Sequence, residues 1–208
     1  MEIAVACAAA VAGLLFCERR GWVPGVWIAK LGASTLFLAA ALHWGALDSG
    51  YGRLVLVALA LCWLGDALLI LRDRPQLFRA GIGSFLLGHL AYAAAFLEHS
   101  TAPVALAVGG LVVGLGAWRI HGWLRPHLPA DFVLPVIAYV GVISAMLVAA
   151  VGTSAATGEV AVALGALMFV VSDVSVARDR FVAPGFANAA WGLPLYYAAQ
   201  LVLASTVR

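Results

Sequence analysis

Runs of about 18–22 mostly apolar residues, each long enough to cross a bilayer as a helix, occupy nearly the whole chain. They fall at roughly 2–17, 24–44, 54–71, 79–97, 101–118, 132–151, 158–177 and 186–206, joined by short polar links. Hydrocarbon offers no water to a backbone N–H or C=O, so a spanning segment satisfies its own groups, and a helix does this within one segment. The reading is an all-α polytopic membrane protein, a bundle of eight transmembrane helices in a single domain over 1–208. A 4+4 internal repeat is considered below. Composition agrees. The chain is 64% hydrophobic and 11% charged, where a soluble domain is about half apolar and a quarter charged. The first run, IAVACAAAVAGLLFC, lacks the positive start of a signal peptide, because Glu2 is its only early charge; it reads as the first membrane helix.

Arginine sets the orientation. The links after helices 1, 3, 5 and 7 hold Arg19, Arg20, Arg72, Arg74, Arg79, Arg119, Arg125, Arg178 and Arg180, while those after helices 2, 4 and 6 hold Arg53 alone. The excess of positive residues on cytoplasmic links then places the odd links in the cytoplasm and both termini outside. The expected location is a bacterial plasma membrane. Net charge is +2 with no basic cluster, so no nucleic acid partner is expected. Cys7, Cys17 and Cys62 lie in or beside apolar runs and form no CxxC pair, which gives neither a disulfide framework nor a metal pair. Nothing in the chain speaks to oligomeric state.

Two carboxylates interrupt the apolar pattern: Asp66 in LVLVALALCWLGDALLIL and Asp173 in VAVALGALMFVVSDVSVA. An ionisable group at bilayer depth costs about 2.5–3.5 kcal/mol even on lenient scales, so it marks a candidate functional site. Asp66 precedes Arg72 by six residues and Asp173 precedes Arg178 by five. At 1.5 Å per residue, both stand roughly 8–9 Å from the arginine-rich end of their helices. Lys30 reaches a similar depth on helix 2, Tyr139 lies slightly deeper on helix 6, and His89 is near the middle of helix 4. A common depth permits one polar cavity fed by five helices. A lysine at that depth also has the option of snorkelling to the interface, and a lone histidine that of bonding to a nearby carbonyl.

Helix faces support the grouping. Phe85, His89, Tyr92 and Phe96 share a stripe on helix 4, with Gly81 and Gly88 nearby to admit a close neighbour. On helix 7, Gly165, Phe169, Ser172, Asp173 and Val176 lie to one side. On helix 8, Tyr197 and Gln200 are a turn apart, with Tyr196 beside them. An aromatic stripe is ordinarily packing, whereas one carrying His, Tyr and Gln suggests a pocket. There is also an internal echo: LGDALLILRDR resembles VSDVSVARDR, and GHLAYAAAFL resembles GLPLYYAAQL at a similar distance further on. A parallel four-plus-four duplication would account for it.

Several chemistries are absent from the pattern. There is no GxSxG and no HExxH, and His43, His89, His99, His121 and His127 do not fall at metal-ligand spacing on one helix. No metal or cofactor is expected. What remains is the pair of carboxylates. Two that share a low-dielectric site cannot both ionise cheaply, which leaves one as acid and the other as base. Acid-catalysed hydrolysis of an acetal, glycoside or enol ether needs that division; proton-coupled transport uses it too.

GDALL on helix 3, the Phe78, Gly81, Phe85, Gly88, His89, Tyr92 pattern on helix 4, GALMFVVSD on helix 7 and YYAAQ on helix 8 together resemble the YhhN/TMEM86 family. The resemblance runs from about Lys30 to Gln200; Lys30-Leu31 stands where the family has Lys-Pro. It implies a lysoplasmalogenase, an integral membrane hydrolase that cleaves the vinyl ether of an alkenyl lysophospholipid. The products would be a fatty aldehyde and glycerophosphoethanolamine or glycerophosphocholine. The implied partners are that lysophospholipid and the surrounding membrane lipids. Asp66 and Asp173 would divide the acid and base roles. Lys30 and His89 would meet the phosphate or orient the acid, Tyr139, Tyr197 and Gln200 would hold water and the glycerol hydroxyl, and Tyr92 and Ser172 would complete the substrate-binding face. The alternative is a proton-coupled carrier of a small molecule or lipid using the same aspartates.

Overall fold

The computed structural model describes residues 2–71 and 74–208. Arg72, one of the arginines that orient the chain, lies outside them. Eight helices follow one another: α1 (Glu2–Arg20), α2 (Val23–His43), α3 (Gly50–Ile70), α4 (Pro75–Leu97), α5 (Pro103–Leu124), α6 (Val133–Thr157), α7 (Val160–Ala177) and α8 (Phe186–Ser205). There is no strand among the described residues. Two short 3₁₀ turns, Arg125–His127 and Ala130–Phe132, join α5 to α6, and a π-helical turn, Arg178–Val182, continues α7.

Local chemistry sets the ends. Pro24, Pro75 and Pro103 stand in the first turns of α2, α4 and α5, where a missing N–H costs nothing. The Ser49 hydroxyl caps α3 by accepting from the Gly52 amide at 2.9 Å. Gly158 ends α6 at φ +80°, a left-handed conformation that glycine adopts without strain.

Among the described residues, six helices, α2 to α7, are long and apolar enough to cross a membrane. The sequence suggests eight spans, and the two that fall short do so for different reasons. Helix α1 carries Glu2, Glu18, Arg19 and Arg20 at its ends. Helix α8 contains Pro194 and buries Asn188, Tyr196, Tyr197 and Gln200. It packs on α7, α2, α1 and α3, so these polar groups meet protein rather than lipid, and apolarity alone undercounts such a helix. Helix α5 is the converse case. It packs on α6 at the edge of the bundle and leaves Val104, Leu111, Val112 and Trp118 facing outward.

Neighbours in sequence pack against each other except at α4 and α5, and α4 against α6 and α2 against α8 close the arrangement. The most extensive contacts join α3 to α4 and α7 to α8, the two pairs that echo each other in sequence. Glycine allows the approach. A methyl group on Gly65 would stand 2.6 Å from the Phe85 ring, and one on Gly192 would collide with Ser175. Lipid tails are as apolar as leucine, so helix association here rests on such close van der Waals fit.

One end of the bundle gathers Phe78 at the start of α4, Phe132 before α6 and Phe181 after α7, with ring centroids 5.5–6.5 Å apart. Arg180 lies over Phe78 and Arg79 over Phe132, and Arg79 also pairs with Asp131. Asp66 is four residues before the end of α3 and Asp173 four residues before the end of α7. Both therefore lie about 6 Å inside this arginine-rich end.

Candidate active site

Asp66 is 2% exposed and has a donor on each oxygen. Its Oδ2 accepts from Ser34 Oγ and from the Tyr196 hydroxyl, each at 2.7 Å. Its Oδ1 faces Lys30 Nζ at 3.5 Å. Lys30 and Ser34 are one turn apart on α2 and so present to the same face. Lys30 thus turns inward to a carboxylate rather than outward to the interface, and its side chain is 12% exposed. Tyr197 supports the same turn of α2, donating to the Lys30 carbonyl at 3.1 Å and lying 3.1 Å from Ser34 Oγ.

A directed chain of donors ends on Asp66. The Tyr92 hydroxyl donates to Gln200 Oε1 at 2.7 Å, Gln200 Nε2 donates to the Tyr196 oxygen at 3.1 Å, and Tyr196 donates to Asp66. Each bond in such a chain polarises the next in a buried, low-dielectric core. Helices α2, α3, α4 and α8 all contribute.

Asp173 belongs to a second, sparser group. Its Oδ2 accepts from the Tyr139 hydroxyl at 2.6 Å. His89 Nε2 stands 3.7 Å from the same oxygen, too far for a hydrogen bond. The Asp173 side chain is 18% exposed, so it is the more accessible of the two carboxylates. Between the groups stands Phe169, with its ring centroid 4.6 Å from His89 and 5.3 Å from Tyr196. Phe85 packs at 5.9 Å on Tyr196 and 6.3 Å on Phe169. The two carboxylates thus share an aromatic, low-dielectric surround.

Of the residues singled out in the sequence, Asp66, Lys30, Tyr92, Tyr197 and Gln200 meet in the first group, and Asp173, Tyr139 and His89 in the second. Ser172 joins neither. Its hydroxyl donates to the Phe169 carbonyl at 2.7 Å, within its own helix, on the side that packs toward α8. Ser34 is not among the residues noted in the sequence, and Tyr196 and Phe169 stand there on helix faces without a site role. Signals for the first two exist, since Ser34 is four residues after Lys30 and Tyr196 four before Gln200. Nothing in the sequence marks Phe169 as the ring between the two groups. No cluster of three metal-ligating side chains occurs among the described residues.

An apolar helical bundle with six helices able to span a bilayer, enclosing two hydrogen-bonded carboxylates, is an integral membrane protein. The chain belongs to the YhhN family, which it matches over residues 26–207. It is 35% identical to bovine (Bos taurus) lysoplasmalogenase TMEM86A over 156 residues, 72% of this chain and 63% of that protein. It is 30% identical to lysoplasmalogenase TMEM86B of Sus scrofa over 191 residues, 89% of this chain and 79% of the relative. A lysoplasmalogenase of Mycobacterium tuberculosis is 33% identical over 160 residues, 73% of this chain and 58% of its own length. The match to the bovine and mycobacterial proteins therefore spans less than two thirds of their length. No solved structure matches the chain.

Proposed function

We propose that the protein is a lysoplasmalogenase, hydrolysing the vinyl ether of an sn-1 alkenyl lysophospholipid to a fatty aldehyde and a glycerophospho-alcohol. The observation that carries this reading is the pair of carboxylates at equal depth, each bonded to a tyrosine hydroxyl. The chain's family and the names of its relatives support the substrate class. The arginine-rich end is taken as cytoplasmic, which puts the accessible Asp173 within reach of a lysolipid in that leaflet.

The chemistry follows from the partners of each carboxylate. Asp66 faces an ammonium and two hydroxyl donors, an environment suited to a carboxylate that stays charged. Asp173 has the Tyr139 hydroxyl alone and is the acid. It delivers its proton to the β-carbon of the vinyl ether, leaving an oxocarbenium ion at the α-carbon. The negative charge of Asp66 stabilises that cation, held ready by preorganised donors rather than by mobile water. Water adds to the α-carbon, and the hemiacetal collapses to aldehyde and alcohol. The logic is that of glycoside cleavage by two carboxylates, with protonation on carbon rather than oxygen.

The test is aldehyde release from lysoplasmenyl-ethanolamine by purified protein, with the saturated lysolipid as control. Asp66→Asn and Asp173→Asn should each lower turnover by about 10²–10⁴ while eluting as folded protein. Turnover retained in either variant removes that residue from the mechanism. A folded protein with no aldehyde release removes the hydrolase reading and leaves a proton-coupled carrier.

A further inference from the structure

The two hydrogen-bonded groups leave one buried histidine unexplained. His89 is fully buried, and its Nε2 has no hydrogen-bond partner. Its ring meets Phe169 edge to face at 4.6 Å and Tyr139 at 5.3 Å. The Phe85 backbone, one turn earlier, is the polar neighbour along its own helix. Phenylalanine would make those ring contacts without leaving a polar atom unpaired, and the same stripe of α4 uses it at Phe85 and Phe96. Buried polar groups are paired in nearly all native structures, so an orphan inside an apolar bundle calls for a missing partner.

Geometry says what that partner is. His89 Nε2 points at Asp173 Oδ2 across 3.7 Å. That gap is too wide for a direct bond, and the oxygen already holds the Tyr139 hydroxyl. A single hydroxyl seated beside both atoms completes the arrangement, bridging Nε2 and the Asp173 carboxyl oxygen. No larger polar group is needed.

We propose that His89 and Asp173 form a binding site for one hydroxyl oxygen at the reacting end of the substrate. The inference rests on the ether-hydrolase reading for its ligand, and two sources share the chemistry: the water that completes hydrolysis, or the free glycerol hydroxyl of the lysolipid. In the first case the steps balance on Asp173 alone. Its proton goes to the β-carbon; the water oxygen then bonds to the α-carbon, and the water proton passes to the carboxylate and restores the acid. In the second case the pair recognises the hydroxyl that a diacyl lipid lacks, and so selects lysolipids.

The experiment compares His89→Phe and His89→Gln with wild type in the same detergent. His89→Phe replaces an orphan by a ring that packs alike, so its thermal midpoint should equal or exceed that of wild type; a lower midpoint would show a structural histidine and overturn the proposal. Binding is read with saturated 1-O-alkyl lysolipids, which are not cleaved, carrying a free 2-hydroxyl or a 2-deoxy position. If the glycerol hydroxyl is the ligand, wild type prefers the free hydroxyl by about tenfold, the value of one hydrogen bond, and His89→Phe loses the preference. If water is the ligand, neither lipid is preferred, kcat falls about tenfold or more with KM unchanged, and added methanol raises the ratio of mixed methyl acetal to aldehyde in His89→Phe over wild type. His89→Gln, which keeps a donor, restores part of either effect. Wild-type selectivity, kcat and partition in His89→Phe overturn the proposal. Should wild type cleave no vinyl ether at all, the hydrolase reading fails, and the midpoint and 2-hydroxyl selectivity still decide the role of His89.

Discussion

Replacing Lys30 with methionine keeps the side-chain stem and deletes the ammonium that faces Asp66. The structure sets the size of the effect. At 3.5 Å and an effective dielectric constant of about 20, the lost attraction is about 5 kcal/mol. Removing one partner of a buried pair costs about 3–5 kcal/mol in proteins generally, and the remaining Ser34 and Tyr196 donors place Lys30→Met at the lower end of that range. The double change Lys30→Met with Asp66→Asn removes both charges. Asparagine still accepts from Ser34 and Tyr196, so the double variant should recover to within about 1 kcal/mol of wild type and yet turn over no faster than Asp66→Asn. Unfolding by sodium dodecyl sulfate in mixed micelles, followed by fluorescence of the seven tryptophans, measures each variant. If Lys30→Met costs less than about 1 kcal/mol, or the double variant is no more stable than Lys30→Met, the ammonium does not sustain a charge on Asp66. The assignment of Asp66 as the permanent carboxylate then falls.

Two further outcomes follow from local geometry. Gly65→Ala puts a methyl 2.6 Å from the Phe85 ring and should cost about 1–3 kcal/mol by forcing α3 and α4 apart; Gly114→Ala meets nothing within 4 Å and should gain up to about 1 kcal/mol from helix propensity. The same unfolding titration compares them, and equal effects would show that close approach at Gly65 is not what seats the pair. Tyr196→Phe breaks the link from Gln200 to Asp66, whereas Tyr197→Phe leaves both hydroxyl donors on Asp66 in place. Tyr196→Phe should therefore lower kcat about tenfold, at roughly 1–2 kcal/mol for a charge-assisted bond, and Tyr197→Phe distinctly less. The reverse order in steady-state kinetics would refute the relay.

Apolar run lengths alone determined an all-helical membrane bundle, because hydrocarbon leaves the backbone no other partner. Counting along helices then placed Asp66, Asp173, Lys30 and Tyr139 near a common depth, since rise per residue is fixed. Depth is one coordinate, however, and a site needs three. Which face of each helix meets which neighbour depends on glycine notches such as Gly65 and Gly192 and on the rings that fill them. The tertiary structure alone decided that Lys30 pairs with Asp66 and not with the interface, and that Tyr139 goes to Asp173 and Tyr196 to Asp66. It also turned Ser172, next to Asp173 in sequence, back onto its own helix. Helix rotation and pairing are settled by packing between segments far apart in the chain, and no local pattern in any one segment encodes them.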